Sequence, residues 1–112
     1  MGQTTGLAVG PQRLAALERA NDVRLARAQL KRRVRAGGLT AAEVVLTSTW
    51  QTRTMSVEDL LMSQRGWGRV RARRLLQSLA VPENKQIGTL TERQRLAIAA
   101  VLTARRIGLG IE

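Results

Sequence analysis

Apolar residues recur along this chain at helical spacing, and no segment of useful length alternates between apolar and polar positions. Between Pro11 and Ala36 no glycine or further proline interrupts a run rich in Ala, Leu, Arg, Glu and Gln, which are good helix formers. Proline suits the first turn of a helix, and Gly37 with Gly38 marks its end. The pattern therefore predicts a long first helix over residues 11–36, about 39 Å in length.

The first predicted helix carries two partial apolar faces instead of one continuous stripe. The two sets are Leu14, Leu17, Leu25 and Ala28 on one side and Val23, Leu30 and Val34 roughly opposite. A coiled coil would keep a single seam, so this arrangement is not favoured. We expect the C-terminal half of the helix to pack on the rest of the protein and the N-terminal half to project.

Capping signatures mark the starts of three later helices. Thr40 with Glu43 forms a capping box, Ser56 with Asp59 repeats the signature, and a similar pair follows at residues 91 and 94. A further helix should follow the glycines near residue 67 and end at Val81-Pro82, before a loop over residues 83–90. The expected buried residues are Val44, Val45, Trp50, Leu60, Leu61, Met62, Ala72, Leu75, Leu76 and Leu79.

These patterns together predict an all-α fold of five helices. The long helix at 11–36 precedes a compact four-helix domain at 37–107, in which residues 51–55 form a short linker. Flexible tails are expected at 1–10 and 108–112, with Gly108 as the cap of the last helix.

Two glycines, Gly66 and Gly68, surround Trp67 between two apolar runs, which predicts a tight turn joining two packed helices. The amide groups around Gly68 would then lie at a helix N-terminus, where free N–H groups and the helix dipole favour an anion. Five arginines lie within ten residues here: Arg65, Arg69, Arg71, Arg73 and Arg74. A simple corner needs no such charge, so the anion is expected to be a nucleic-acid phosphate. Trp67 either packs the hairpin or stacks on a base.

The net charge supports a polyanionic partner. Nineteen Lys+Arg residues against eight Asp+Glu give +11, and only two of the nineteen are lysine. Residues 1–36 carry +6, residues 37–62 carry −2, residues 63–82 carry +5 and residues 83–112 carry +2, which favours two basic patches. The basic patch of residues 1–36 is concentrated at the end of the first helix, in Lys31, Arg32, Arg33 and Arg35, where cations also complement the helix dipole.

Composition also narrows the classes of function. Without cysteine or histidine, the chain lacks disulfides, the usual zinc sites and two common catalytic groups, and its carboxylates mostly lie at helix starts, where capping explains them. No enzyme activity, cofactor, metal or small-molecule substrate is therefore expected. Neither a membrane span nor a signal peptide is evident, so an intracellular protein is expected. The scarcity of aromatic residues disfavours single-stranded targets, which are usually stacked on several aromatic rings.

Residues 60–75 resemble a helix-hairpin-helix element, in which glycines flank an apolar residue and Ala72 and Leu75 follow. The order of a long basic helix, a short capped helix, this hairpin and a closing helix over residues 11–103 resembles the actinobacterial (mycobacterial-type) integration host factor family, including phage-encoded versions. Its core is similar to the helix-two-turns-helix domain of a ribosomal protein. That family is unrelated to the β-ribbon proteins of the same name. This chain departs from it at Arg65, where proline is usual, and in the loop after the hairpin helix, which keeps Lys85 and Gly88 but not the arginine-rich run.

The resemblance implies a cytoplasmic, nucleoid-associated protein that binds double-stranded DNA with weak sequence preference, bends or compacts it, and assists phage integrase recombination complexes. The expected DNA-binding residues are Arg65, Gly66, Trp67, Gly68, Arg69, Arg71, Arg73 and Lys85, with Lys31, Arg32 and Arg35 in the second patch. Two alternatives remain open: an RNA-binding protein with a ribosomal-protein-like core, and a sequence-specific transcriptional regulator. The second is disfavoured because Asn and Gln, which read adenine, are sparse on the basic helix. A membrane-surface role for the first helix is also conceivable, but the helix lacks an aromatic anchor.

Overall fold

The computed structural model describes residues 10–106, which form five α-helices and one short 3₁₀ turn. The helices are α1 Pro11–Ala36, α2 Ala41–Thr47, α3 Val57–Met62, α4 Arg69–Ser78 and α5 Glu92–Arg106, and the 3₁₀ turn is Ile87–Thr89. The described residues contain no β-strand, so the all-α prediction is confirmed. Apart from Gly10, the expected tails and the cap at Gly108 lie outside this range, and the division into tails and domain stays a prediction.

Helix α1 attaches to the rest of the protein through its C-terminal half, as its apolar pattern predicts. Val34 is buried and Leu30 is partly buried against the core, whereas Leu14, Leu17 and Leu25 on the opposite face are each more than half exposed. The helix ends at Gly37, whose φ of +88° lies in the left-handed region that glycine favours. No helix in the described part of the chain has both the length and the apolar character needed to cross a bilayer.

The predicted caps are present. The Thr40 side chain accepts a hydrogen bond from the Glu43 amide while the Glu43 carboxylate accepts one from the Thr40 amide. Ser56 accepts from the Asp59 amide at the start of α3. A reciprocal pair of bonds also joins residues 91 and 94 before α5. Each cap of this kind is worth about 1 kcal/mol, which helps to explain why helices as short as α2 and α3 form where they do.

The core lies between α2 and α5, with α3 packed on α4 and on α2. Its largest fully buried side chains include Leu60, Leu61, Leu76, Ile87 and Ile98. Burying a side chain of this size stabilises the fold by roughly 1.5–3 kcal/mol, so these contacts dominate the stability of the helical domain.

Trp50 was expected in the core, and that prediction is wrong. Helix α2 ends at Thr47, and the chain then turns so that the Trp50 side chain is 53% exposed. The turn buries Thr52 instead, whose hydroxyl donates to the Thr49 carbonyl. Met55 is also buried, so residues 51–55 contribute to the core and are more than a linker.

Helix α4 ends at Ser78, earlier than predicted, and Ala80 then takes a left-handed φ of +57°. The following loop is tied to the start of α3 by two backbone hydrogen bonds. The Val57 amide donates to the Lys85 carbonyl, and the Ile87 amide donates to the Met55 carbonyl, both at 2.9 Å. The loop at 83–90 therefore lies beside the helix pair that carries the glycine hairpin.

Arg95 links three separate segments of the domain. One terminal nitrogen of its guanidinium donates to the Val45 carbonyl at 2.6 Å, and the other donates to the carbonyls of Ile87 and Leu90 at 3.1 and 3.3 Å. Hydrogen bonds from a charged donor are worth about 1.5–3 kcal/mol each. This arginine therefore stabilises the packing of α5 on α2 and on the 3₁₀ turn.

Candidate nucleic-acid interface

The glycine hairpin joins α3 to α4 in a tight turn with a left-handed residue at its centre. Gly66 has a φ of +82°, and the Trp67 amide donates to the Gln64 carbonyl across the turn at 3.1 Å. A Cβ at Gly66 would meet no atom within 4 Å. Glycine is needed here for its backbone angle, not for space.

Helix α4 begins with exposed backbone donors. Gly68 is the N-cap in extended conformation and has no side chain to cap the helix. Within residues 10–106, the amides of Gly68, Arg69 and Val70 have no hydrogen-bond partner, and all three residues are exposed. Such donors at the positive end of a ten-residue helix suit an anion.

The arginines of the hairpin and α4 differ in their surroundings. The side chains of Arg65, Arg69 and Arg74 are exposed and make no hydrogen bond or ion pair with any residue that the structure describes. Arg73 is engaged: its Nε lies 2.5 Å from a Glu58 carboxylate oxygen and 2.9 Å from one of Glu83. The hydrogen bond to Glu58 raises the pKa of Arg73, so this guanidinium stays charged. Its role as a phosphate ligand stays a prediction, and a phosphate there must compete with two carboxylates.

Trp67 is partly buried and packs against the core, in agreement with the interpretation that it packs the hairpin. The guanidinium carbon of Arg71 lies 4.2 Å from the centre of the Trp67 ring, and that of Arg105 lies 5.6 Å away. Cation–π contacts of this kind are worth about 0.5–1 kcal/mol at exposed sites. Since arginines already contact the ring, it is less available for stacking on a base.

The basic end of α1 lies beside α3. The Lys31 ammonium forms an ion pair of 2.8 Å with Asp59, and Arg27 donates to the Gln51 carbonyl at 2.9 Å and to the Thr54 hydroxyl. Arg32 and Arg35 are exposed, and neither has a hydrogen-bond or ion-pair partner among the described residues. The second patch is therefore adjacent to the hairpin helices, but Lys31 is occupied by a carboxylate.

Lys85 lies in the loop after α4, and its side chain is partly buried. The same loop approaches the turn after α2 closely at Gly88, where the amide donates to the Arg53 carbonyl. A Cβ at Gly88 would lie 2.9 Å from both that carbonyl oxygen and the Arg53 Cγ, so no larger residue fits without a shift. The structure thus brings the exposed Arg53 next to the loop in which the sequence leaves Lys85 as the only cation.

Comparison with known proteins agrees with this geometry. The chain is 35% identical over 89 residues to Integration host factor of Mycobacterium tuberculosis, with 78% of this chain and 85% of the relative covered. It is 37% identical over 90 residues to that of Mycolicibacterium smegmatis, with the same coverage, and 34% identical over 85 residues to that of Streptomyces coelicolor, covering 74% and 79%. The chain belongs to the integration host factor family. No protein-family model matches it.

The fold is also similar to that of a family member seen with DNA. The solved structure of sIHF bound to an 8bp palindromic DNA matches with a TM-score of 0.70 and 28% identity, covering 76% of this chain and 98% of that chain. The resemblance drawn from the hairpin and the order of helices is thereby confirmed. It holds although this chain has a different residue before the hairpin and fewer cations in the loop after it.

Sequence reasoning did not single out two cations of this integration host factor chain, one beside the loop at 83–90 and one beside the hairpin. Arg53 lies in the mildly acidic segment at 37–62, and Arg105 lies near the end of α5, outside any motif. Each reaches its position through contacts with residues more than thirty positions away, Gly88 and Trp67. No local sequence signal could have placed either of them.

Proposed function

We propose that this protein is an architectural, nucleoid-associated protein that binds the backbone of double-stranded DNA. The observation that carries the proposal is the hairpin: the amides of the exposed residues Gly68, Arg69 and Val70 have no partner within residues 10–106, and exposed arginines lie beside them at 65 and 69. The DNA-bound state of the structurally similar sIHF supports the same partner.

The chemistry of binding follows from the groups present. The amides donate to one phosphate, and the forked guanidinium groups of Arg65 and Arg69 donate to phosphate oxygens beside it. Arg71, Arg73 and Lys85 contribute further positive charge, and Lys31, Arg32 and Arg35 form the second patch. Phosphate contacts carry no sequence information, so any preference arises from the shape and deformability of the DNA.

Bending follows from the use of two patches. A duplex that contacts both the hairpin and the end of α1 gains phosphate contacts by curving between them, which repays part of the deformation energy. A bent duplex of this kind suits the assembly of recombination complexes, and support of integrase-mediated recombination is part of the proposal.

A fluorescence anisotropy titration tests this function. A random-sequence duplex of about 20 base pairs is titrated at several salt concentrations, with an A·T-rich duplex and an RNA hairpin as competitors. We expect similar affinities for the two duplexes and a slope of log K against log salt of roughly −5, as for about six phosphate contacts. Weak binding to both duplexes with strong competition by the RNA hairpin would reject the DNA assignment in favour of RNA.

A second readout separates bending from binding alone. The same duplex, labelled with a fluorophore at each end, should show increased energy transfer when the protein saturates it. Saturated binding with unchanged energy transfer would refute the architectural part of the proposal while leaving DNA binding in place.

A further inference from the structure

A cleft of about 330 Å³ lies between the hairpin, the turn after α1 and the C-terminal half of α5. Its apolar wall includes Val34, Leu39 and Leu102. The charged side chains that line it, among residues 10–106, are all arginines: Arg65 from the hairpin, Arg71 from α4 and Arg105 from α5. The like charges of Arg65 and Arg105 repel one another in a concave site, and an anion bound there relieves that repulsion.

The Trp67 ring contacts two of the arginines that line this cleft. Its ring lies 4.2 Å from the guanidinium carbon of Arg71 and 5.6 Å from that of Arg105. Arg71 and Arg105 lie 34 positions apart in the sequence, yet the indole holds both at the same wall. The attraction of the ring for each cation offsets part of their mutual repulsion.

The Arg105 side chain has a buried hydrogen-bond donor that no described residue satisfies. Its Nε is buried from solvent and has no hydrogen-bond acceptor within the described part of the chain. A buried charged donor without an acceptor is costly, and folds rarely retain one. Arg105 is one of the residues that line the cleft, so an anion bound in the cleft would bring an acceptor to this side chain.

The cleft is continuous with the hairpin through Arg65, which belongs to the turn and also lines the cleft. We infer that the cleft binds a second phosphate of the same DNA strand, next to the one at the hairpin amides. Arg65 and Arg105 are its ligands, and Trp67 is the positioning residue that holds Arg71 and Arg105 toward it. This inference rests on the proposed function, and it makes the end of α5 part of the DNA-binding surface.

Arg105→Gln tests the ligand role, with Arg93→Gln as the matched control. Arg93 lies on the same helix, is exposed, and is not among the residues that line the cleft. Loss of one phosphate contact is expected to reduce the steepness of the salt slope by about 0.9 and to weaken duplex binding roughly 5–10-fold at low salt for Arg105→Gln. The control should change both much less. Equal effects of the two substitutions would overturn the inference.

The outcome is separable from that of the proposed function. If the wild-type protein binds duplex DNA and the hairpin variant Arg69→Gln, whose changed residue does not line the cleft, weakens that binding, the proposed function stands whatever Arg105→Gln does. A normal salt slope for Arg105→Gln in that case refutes only the cleft.

In a Trp50→Phe variant Trp67 is the only tryptophan, so the fluorescence of the protein reports on the surroundings of Trp67. We expect its emission to shift when the duplex of about 20 base pairs is added, and the shift to shrink in Arg105→Gln. Trp67→Leu should lower the salt slope as Arg105→Gln does, while Trp67→Phe, which keeps an aromatic ring, should restore most of it. A residue that served packing alone would leave the slope unchanged in all folded variants.

The alternative ligand of the cleft is a free phosphate compound instead of the DNA backbone. Inorganic tripolyphosphate is the probe for this alternative. If tripolyphosphate shifts Trp67 emission in an Arg105-dependent way and the duplex does not, the cleft is a site for free anions and the assignment to DNA is wrong. If the duplex shifts the emission and tripolyphosphate competes weakly, the assignment to the DNA backbone is supported.

Discussion

Arginine has opposite surroundings at the start of α5 and at the glycine hairpin. Arg95 donates to three backbone carbonyls and is partly buried, whereas Arg65 and Arg69 are exposed and have no partner among the residues described. The side chain is the same, yet one stabilises the fold and the others are available to an anion. The net charge of +11 therefore overstates the charge that the protein offers to DNA.

The largest expected effect is on stability, from Arg95→Met. Three carbonyls lose their donor, so we expect the free energy of unfolding to fall by about 2–4 kcal/mol. The melting temperature should fall by at least roughly 10 °C, measured by circular dichroism. Arg93→Met, an exposed position on the same helix, should change the free energy of unfolding by less than about 0.5 kcal/mol. Equal melting temperatures for the two variants would contradict the structural role of Arg95.

The next largest effect is on affinity, from Arg65→Gln combined with Arg69→Gln. Loss of two phosphate contacts should weaken duplex binding by roughly 10–100-fold at low salt and reduce the salt slope by about 1.8. Thermal unfolding should be nearly unchanged because both side chains are exposed and neither makes a hydrogen bond or ion pair within residues 10–106. Arg13→Gln with Arg19→Gln on the projecting half of α1 makes the same charge change and should have a much smaller effect. Arg32→Gln with Arg35→Gln should fall between these two. Equal losses of affinity for all three double variants would mean that binding depends only on the net charge of the protein.

Gly66→Ala separates the hairpin backbone from its charge. Both Gly66 and Gly37 have a left-handed φ and open space around a new Cβ, so alanine should cost each about 1 kcal/mol of stability. At Gly66 the strain also shifts the amides at the start of α4, and we expect a further 5–10-fold loss of duplex affinity, by order of magnitude. Gly37→Ala, with the same backbone cost, should keep affinity within about twofold of wild type. Parallel anisotropy and thermal measurements compare the pair, and equal affinities would indicate that the turn geometry does not matter for DNA.

The smallest expected effect is a gain in affinity from Glu58→Gln. Removing this carboxylate leaves Arg73 with Glu83 alone and makes its guanidinium more available to a phosphate, so duplex affinity should rise by roughly 2–3-fold. Glu92→Gln makes the same charge change in the first turn of α5, away from Arg73, and is the control. A gain of the same size in both variants would show that affinity follows net charge and not the release of Arg73.

The starts of the helices and the hairpin were predictable because their causes are local. Capping pairs such as Thr40 with Glu43 act over three residues, and the Gly66 turn depends on one backbone angle. The two faces of α1 were predictable for the same reason. Trp50 was misplaced because its burial depends on the residue at which α2 ends, which its own apolar character does not determine.

The division of arginines between fold and surface was not predictable. Arg95 bonds to a carbonyl 50 positions away, and Arg27 to one 24 positions away. Lys31 and Arg73 were assigned to the DNA surface because they lie in basic runs, and the carboxylates that pair with them come from a different helix or loop. Which cations remain available is a property of tertiary contacts, so it follows only from the folded structure.

The attachment of α1 through one half has a mechanical consequence. Helix α1 contacts the rest of the protein near Arg27, Lys31 and Val34. Residues 11–22 are exposed throughout, so about 20 Å of the helix extends beyond these contacts. A tilt of roughly 10° at these contacts would move the far end by about 3.5 Å, close to the rise of one base pair. In the proposed binding mode, such a tilt would move the first turn of α1 by about one base-pair step while the hairpin remained at its phosphate.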